Sequence, residues 1–492
     1  MAVQTLRELL VRAADTYGEG DAFRYKEKKN IVTRSYLDLK RDSEAFSRML
    51  AKKGMEGTHV AIVGSTSYLW VVSYFGAVNG GNVAVPLDAS LPKEALCRLL
   101  ERAEVSVFVY DAGKKETAEL AKEKCPSIKE FIAMEELPRI LEENQGEYEK
   151  EVTPDSLCTI MFTSGTTGES KGVMLTHRNL ADNATCLDMK IPPRTVTMSV
   201  LPIHHAYCLS MDILKALDLG SIICINDSIM RVVKNMKIFQ PEMMLMVPMM
   251  IETIYNKLQD TPLIPKKLLA KEVFGGKLKT ICSGGAYLDP DMVTKFAEYG
   301  ITILQGYGMT ECSPVISTNL YWDSKEASVG KLMPGCQAKI VDNEIWVKSP
   351  SVMMGYYKMP EETAEVLEDG WLKTGDLGYV DEDQFVFLTG RKKNLIILKN
   401  GENVSPEEIE NQLSKERLVK EVLVREAEGS IEAEIFPDEE YAGRKRIRKI
   451  EEKIQEIVDN YNKQVPMYKQ VHKLKLRDTE FEKTPSKKIK RF

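Results

Sequence analysis

Met161-Phe162-Thr163-Ser164-Gly165-Thr166-Thr167-Gly168-Glu169-Ser170-Lys171-Gly172 is the stretch on which the reading of this chain turns. Upstream, Thr159 to Phe162 reads as the end of a short buried strand; downstream, Thr176-His177-Arg178-Asn179 reads as a helix start. The segment between them is crowded with hydroxyls and glycines and closes on one lysine. Glycine lets backbone N–H groups come close to an anion, and successive N–H groups form a concave nest for it. Thr163, Ser164, Thr166 and Thr167 add rotatable hydroxyl donors, Gly165 and Gly168 the freedom to turn, and Lys171 a point charge. The guest that suits such a loop is a polyphosphate. It is not a Walker loop, which ends in Gly-Lys followed by Ser or Thr; here Ser170 precedes Lys171 and Gly172 follows it. A plain polar surface loop is the alternative for any shorter match. Ten specified positions between a strand and a helix favour a functional loop.

Working outward, 492 residues exceed what one hydrophobic core accommodates, so two or more domains are expected. The net charge of −6 gives no reason to expect a nucleic-acid partner. Nine cysteines form no Cys-x-x-Cys pair and are odd in number, which predicts free thiols rather than disulfides or a zinc site. The first residues predict an amphipathic helix with a Thr5-x-x-Glu8 capping box, not a signal peptide. No apolar run reaches membrane-spanning length; the longest, Met243 to Ile251, contains Pro248. A cytoplasmic location is the expectation.

From Thr5 to about Pro350, short apolar runs alternate with helical patterns. Val60–Val63, Val105–Tyr110, Ser221–Ile225, Met243–Val247, Thr280–Cys282 and Ile301–Leu304 read as buried strands. This alternation predicts parallel sheets covered by helices, an α/β fold. Four further stretches carry chemistry. Leu201-Pro202-Ile203-His204-His205-Ala206-Tyr207 holds paired imidazoles, which on their own suit a surface or packing role. Met236 to Met250 holds six methionines; core packing is the plainer reading, a flexible wall for an apolar guest the sharper one. Ser283-Gly284-Gly285-Ala286 suits close approach of a flat ring to the backbone. Gln305-Gly306-Tyr307-Gly308-Met309-Thr310-Glu311 sets a tyrosine face between glycines and follows it with a donor and a hard carboxylate oxygen. It lacks the third glycine of a dinucleotide fingerprint.

Two more stretches follow in order, Gly370-Trp371-Leu372-Lys373-Thr374-Gly375-Asp376 and Gly390-Arg391-Lys392-Lys393-Asn394, and the chain ends in Ser486-Lys487-Lys488-Ile489-Lys490-Arg491. This ordered set resembles the adenylate-forming superfamily: acyl- and aryl-CoA synthetases, peptide-synthetase adenylation domains and luciferases. The His-His run is similar to that of the fatty-acyl-CoA synthetases. The resemblance spans Thr163 to Lys488 and implies specific roles. The Thr163–Lys171 loop would hold the phosphates of ATP; Gly285, Ala286, Gly306, Tyr307, Gly308 and Thr310 would hold adenine and the α-phosphate. Glu311 would hold Mg²⁺, Asp376 the ribose hydroxyls, and Arg391 would reinforce that grip. His205, Tyr207 and Gly306 would border the acyl pocket. Lys393 would be a hinge, Gly401 would face the thiol tunnel, and Lys488 would reach the reacting carboxylate. The usual glycine before that lysine is Lys487 here.

After Lys393 the texture changes. Ser405-Pro406-Glu407-Glu408 predicts a capped helix, Val422–Val424 and Glu432–Phe436 predict strands, and Ile447, Ile450, Ile454, Val458 and Tyr461 predict one face of a helix. The expectation is a large N-terminal domain of helix-covered sheets over residues 1–392 and a small mobile α+β domain over 393–492. The resemblance implies two half-reactions: a carboxylic acid attacks ATP to give acyl-AMP and pyrophosphate, and coenzyme A then takes the acyl group. A carrier protein's phosphopantetheine is the alternative acceptor, and a catalytically silent acyl- or nucleotide-binding regulator is the alternative from another class.

Overall fold

The computed structural model describes residues 3–163, 170–259, 264–398, 402–427, 430–483 and 489–491. Two compact units divide it: Met1–Gln337 with Val347–Leu372, and Ala338–Trp346 with Lys373–Phe492. The first is built on two sheets. One has seven strands in the order Gly355–Tyr356, Lys171–Thr176, Leu157–Thr163, Val83–Leu87, His59–Val63, Val105–Tyr110, Glu130–Ala133. The last five of these run parallel. Parallel pairing needs crossovers, and helices supply them, so the strands are buried on both faces and read as unbroken apolar runs. Helix Tyr68–Asn79 is buried almost all round because both of its faces meet protein. On one face Val85, Val105 and Phe108 pack with Leu96 and Leu100 of helix Lys93–Arg102.

The second sheet has nine strands: Lys331–Leu332, Val315–Thr318, Thr302–Gly308, Thr280–Ser283, Met243–Met246, Val196–Ser199, Ile222–Ile225, Asp21–Glu27 and Asn30–Ser35. Its middle six are parallel. Met236, Met243, Met244 and Met246 are buried in the strand and in the helix that precedes it, while Met249 is 45% exposed.

The other unit carries the sheet Val419–Ala427, Ser430–Pro437, Lys473–Leu476 and the helices Pro406–Leu413, Glu439–Lys445 and Ile450–Asn462. Ile409, Val422, Ile435, Ile454 and Val458 form its core. An α/β molecule with an α+β C-terminal part is what the sequence predicts.

Helix His177–Thr185 starts with Thr176 as its cap, where the sequence places it. Three local expectations are corrected and one strand is added. Lys171–Thr176 returns antiparallel to Leu157–Thr163 ahead of that helix. The apolar alternation of Val173 and Leu175, both fully buried, is the strand signal. At the N-terminus Thr5 accepts from Glu8 N–H, but the Glu8 carboxylate accepts from Gln4 N–H one residue early, so the capping box is half made. Ser405 makes no cap; its hydroxyl donates to Glu407 Oε2 at 2.9 Å, the carboxylate being the stronger local acceptor. Ile447 lies outside the last long helix, which begins at Ile450.

Candidate functional site

The hairpin sets the geometry at the two ends of the Thr163–Lys171 stretch. Thr163 and Lys171 are opposite one another at the end of the ladder, and Thr163 Oγ1 donates to Lys171 C=O at 3.4 Å. Ser164, Gly165, Thr166, Thr167 and Gly168 lie outside the described residues. What is described is the base, where the Thr163 hydroxyl bonds the Lys171 backbone across the ladder.

The Lys171 ammonium sits 4.8 Å from the centroid of the Tyr356 ring. Tyr356 belongs to the two-residue strand that pairs with the return strand, opposite Val173. Its hydroxyl donates to Glu311 Oε1 at 2.9 Å. Glu311 lies in the short turn Thr310–Cys312 that follows strand Thr302–Gly308, and its C=O accepts from Met353 N–H at 2.9 Å. One tyrosine thus touches both the lysine and the carboxylate that the sequence singled out. Nothing in the local sequence around Gly355-Tyr356 advertises this, because the contact is made through sheet pairing.

Among the described residues no group of three His, Cys, Asp or Glu side chains is placed to hold a metal ion. A single carboxylate nonetheless suits Mg²⁺, which keeps several waters and is bound through one or two carboxylates plus substrate phosphates. Glu311, with one oxygen engaged by a hydroxyl, fits that use.

The strand before Glu311 bends at glycines. A Cβ on Gly308 would lie 2.0 Å from Pro314 C=O, so this position has no room for a side chain; on Gly306 it would lie 3.3 Å from Ser317 C=O. Tyr307 between them is 8% exposed. Tyr207 donates its hydroxyl to Cys282 C=O at 3.1 Å, and its ring closes on Gly284, where a Cβ would come within 2.9 Å of it. Tyr207 and the Gly284-Gly285-Ala286 turn are therefore brought together. Gly285 has φ +84°, a left-handed conformation that glycine adopts freely, and Ala286 is exposed.

His205 lies tilted against His204, ring centroids 4.2 Å apart and planes at 45°. His204 Nε2 lies 3.8 Å from Asp88 Oδ1. Burial, reinforced by His205, pushes the His204 imidazole down to about 4, so it is neutral at pH 7. The sequence shows His204 only as one of a pair and gives no sign of Asp88 beside it. Asp212 is buried in the turn of wide helix Cys208–Leu214, beside Ser199 and Cys208. Burial raises its carboxyl to about 7 against the hydrogen bonds from Ser199 and Cys208.

In the other unit, Asp376 and Arg391 face each other across antiparallel strands Trp371–Val380 and Val386–Arg391, with Nε 2.6 Å from Oδ1. The next residue, Lys392, pairs at 2.8 Å with Glu344, which also accepts from Gly375 N–H. Lys393 is exposed in the turn Lys392–Asn394. Gly401, Lys487 and Lys488 lie outside the described residues. The tail is held just beyond them: Ile489 pairs with Lys483, and Arg491 is ion-paired with Glu407 and Glu410. All nine cysteines are free. Among the described residues no helix is long and apolar enough to cross a membrane.

Comparison with known proteins finds two family matches in the chain. Residues 10–357 match the model of the AMP-binding enzyme family, and residues 393–492 match that of the AMP-binding enzyme C-terminal domain. Long-chain-fatty-acid–CoA ligase 5 of Rattus norvegicus is 29% identical over 500 residues, covering 86% of this chain and 73% of the relative. O-succinylbenzoate CoA synthetase from Bacillus subtilis, solved with its acyl-adenylate intermediate, superposes with a TM-score of 0.80 at 26% identity, covering 98% and 96% of the two chains. An anthranilate CoA ligase solved with anthranoyl-AMP shares the fold, with a TM-score of 0.85 at 20% identity over 99% and 96%.

Proposed function

The chain belongs to the AMP-binding enzyme family, and from that premise we propose that it activates a carboxylic acid with ATP and passes the acyl group to coenzyme A. The observation that carries the reading is the joining of Lys171 and Glu311 through Tyr356. It puts a cation suited to phosphate beside a carboxylate suited to Mg²⁺.

The first half-reaction joins an anionic nucleophile to a polyanion. Two unit charges ~4 Å apart repel by roughly 4 kcal/mol at an effective dielectric of about 20. In this proposal Lys171 and the hydroxyls from Thr163 to Thr167 hold the β- and γ-phosphates, and Lys488 offsets the charge where carboxylate and α-phosphate meet. Mg²⁺ held by Glu311 would supply further charge neutralisation on the phosphates. Asp376 and Arg391 fix the ribose. Gly285, Ala286, Gly306, Tyr307, Gly308 and Thr310 frame the adenine and α-phosphate. A carboxylate oxygen attacks the α-phosphorus, and the bond from that phosphorus to the oxygen bridging the β-phosphate breaks. Pyrophosphate departs, leaving acyl-AMP. The thiol that attacks its acyl carbonyl in the second step then expels AMP. In the second half-reaction a thiol enters along the Gly401 loop after the C-terminal part, residues 393–492, turns about Lys393.

The acid is proposed to be a medium- or long-chain fatty acid. Supporting this are the rat relative's name, the buried methionines on strand Met243–Met246, and, among the described residues, a surrounding of Tyr207 whose nearest carboxylate in sequence is already occupied. Asp212, the nearest carboxylate in sequence, is engaged with Cys208 and half protonated near neutrality. An α-amino acid would lose hydration there without compensation. Relatives that act on o-succinylbenzoate and anthranilate make aryl acids the next class to try.

Pyrophosphate exchange without CoA, run over straight-chain acids from acetate to palmitate beside aryl acids and the twenty amino acids, tests the assignment. The expected outcome is exchange that rises with chain length and none with amino acids. Exchange with an α-amino acid and not with fatty acids would overturn the substrate class; none with any acid would point to a silent binder. Comparing CoA with a phosphopantetheinylated carrier protein as acceptor identifies the thiol.

A further inference from the structure

Tyr356 sits where two parts of the first unit are bolted together. Its strand pairs with the return strand of the phosphate hairpin, and Tyr357 N–H donates to Gly172 C=O at 2.7 Å. Three residues before it, Met353 N–H holds the Glu311 backbone carbonyl. The side chain is buried, and its two ends have different clients: the hydroxyl donates to Glu311 Oε1, and the ring face carries the Lys171 ammonium.

We propose that Tyr356 is a positioning residue for adenylation, which aims the Glu311 carboxylate and keeps it from pairing with Lys171. This rests on the reading of Glu311 as the holder of Mg²⁺ and Lys171 as a phosphate cation. A lysine and a glutamate brought to the same short stretch of sheet attract each other, and an ion pair between them would leave neither free for its guest. The tyrosine resolves this with two weaker contacts. A cation over a ring face is held loosely enough to move to a phosphate. A carboxylate that accepts one hydroxyl hydrogen bond on Oε1 keeps Oε2 open and points it in a set direction. Outer partners of this kind orient metal-binding carboxylates, and their loss typically lowers metal affinity about 10–100-fold.

The test uses the full chain with Tyr356→Phe, Tyr356→Ala, Glu311→Gln and the Tyr356→Ala/Glu311→Gln double variant. ATP affinity is measured by calorimetry with and without Mg²⁺, and the Mg²⁺ dependence of pyrophosphate exchange is measured alongside. Glu311→Gln should lose the tightening of ATP by Mg²⁺. Tyr356→Phe keeps the ring and its packing, and should need about 10–100-fold more Mg²⁺ for the same tightening, with metal-free ATP affinity unchanged. Tyr356→Ala should also weaken metal-free ATP, because Glu311 then captures Lys171; adding Glu311→Gln should restore it. Wild-type Mg²⁺ dependence in Tyr356→Phe, with Glu311→Gln impaired, would overturn the inference alone. Wild-type behaviour of Glu311→Gln would overturn the reading of Glu311 and the inference with it. Should Tyr356→Ala fail to fold, Tyr356→Phe decides.

Discussion

At the scale of single residues, the site depends on atoms that are missing as much as on those present. Gly308 has no space for a methyl group, since the obstacle 2.0 Å away is the backbone carbonyl of Pro314 and cannot swing aside. Gly306 has a softer limit at 3.3 Å. Overpacking of this kind costs about 1–3 kcal/mol. Gly308→Ala should therefore displace the strand end that leads to Glu311, lower the melting temperature, and cut pyrophosphate exchange by more than about tenfold. Gly306→Ala should do less on both measures. Equal effects would show that the bend is not set by the Pro314 contact. Both glycines were legible in the sequence as members of a motif, but which of them is sterically obligatory was not, because Pro314 approaches from the turn beyond Glu311.

At the scale of elements, the helix that follows the phosphate hairpin anchors the N-terminal helix. His177, its first residue, is 1% exposed. Its Nδ1 accepts from Leu6 N–H, and the ring also bonds to the Val78 backbone. Burial holds the imidazole down to about 4, against about 6.5 for the unfolded chain. Between those values the unfolded chain binds more protons than the folded one, so stability rises with pH across the window and is lost as pH falls through it. The lost stability is about 3 kcal/mol at the acid end for a shift of roughly 2.5 units. Melting temperature should fall between pH 6.5 and 4, and His177→Gln, less stable at pH 7, should show a flatter fall over the same range. A variant with the wild-type slope would assign that slope elsewhere, His204 being the next candidate.

On the scale of the whole molecule, the proposed chemistry draws on segments far apart in the chain, from Thr163 to Lys488. Asp376 and Arg391 belong with the residues that follow, and Lys488 lies near the end of the chain. Lys488→Ala should lose adenylation by about 10²–10³, the cost of removing one preorganised donor from a transition state. It should still make thioester from supplied acyl-AMP. Normal adenylation in this variant, with Lys487→Ala damaged instead, would move the role by one residue. Arg491, three residues on from Lys488, is ion-paired to Glu410.

The amino-acid sequence by itself determined the family, the order of the site segments and the α/β class. Those features are written in contiguous letters: glycines and hydroxyls closing on a lysine, a carboxylate after a glycine-flanked tyrosine, apolar runs of strand length. Only the tertiary structure decided how the segments meet. The strands that end at Thr163 and start at Lys171 form a hairpin, which follows from Val173 and Leu175 finding a buried sheet face. Tyr356 reaches Glu311 across 45 residues because a two-residue strand is hydrogen-bonded to that hairpin. His177 and His204 are neutral because neighbours distant in sequence exclude water from them. Local chemistry is carried by residue type and spacing; pairing, burial and protonation depend on what the rest of the chain packs alongside.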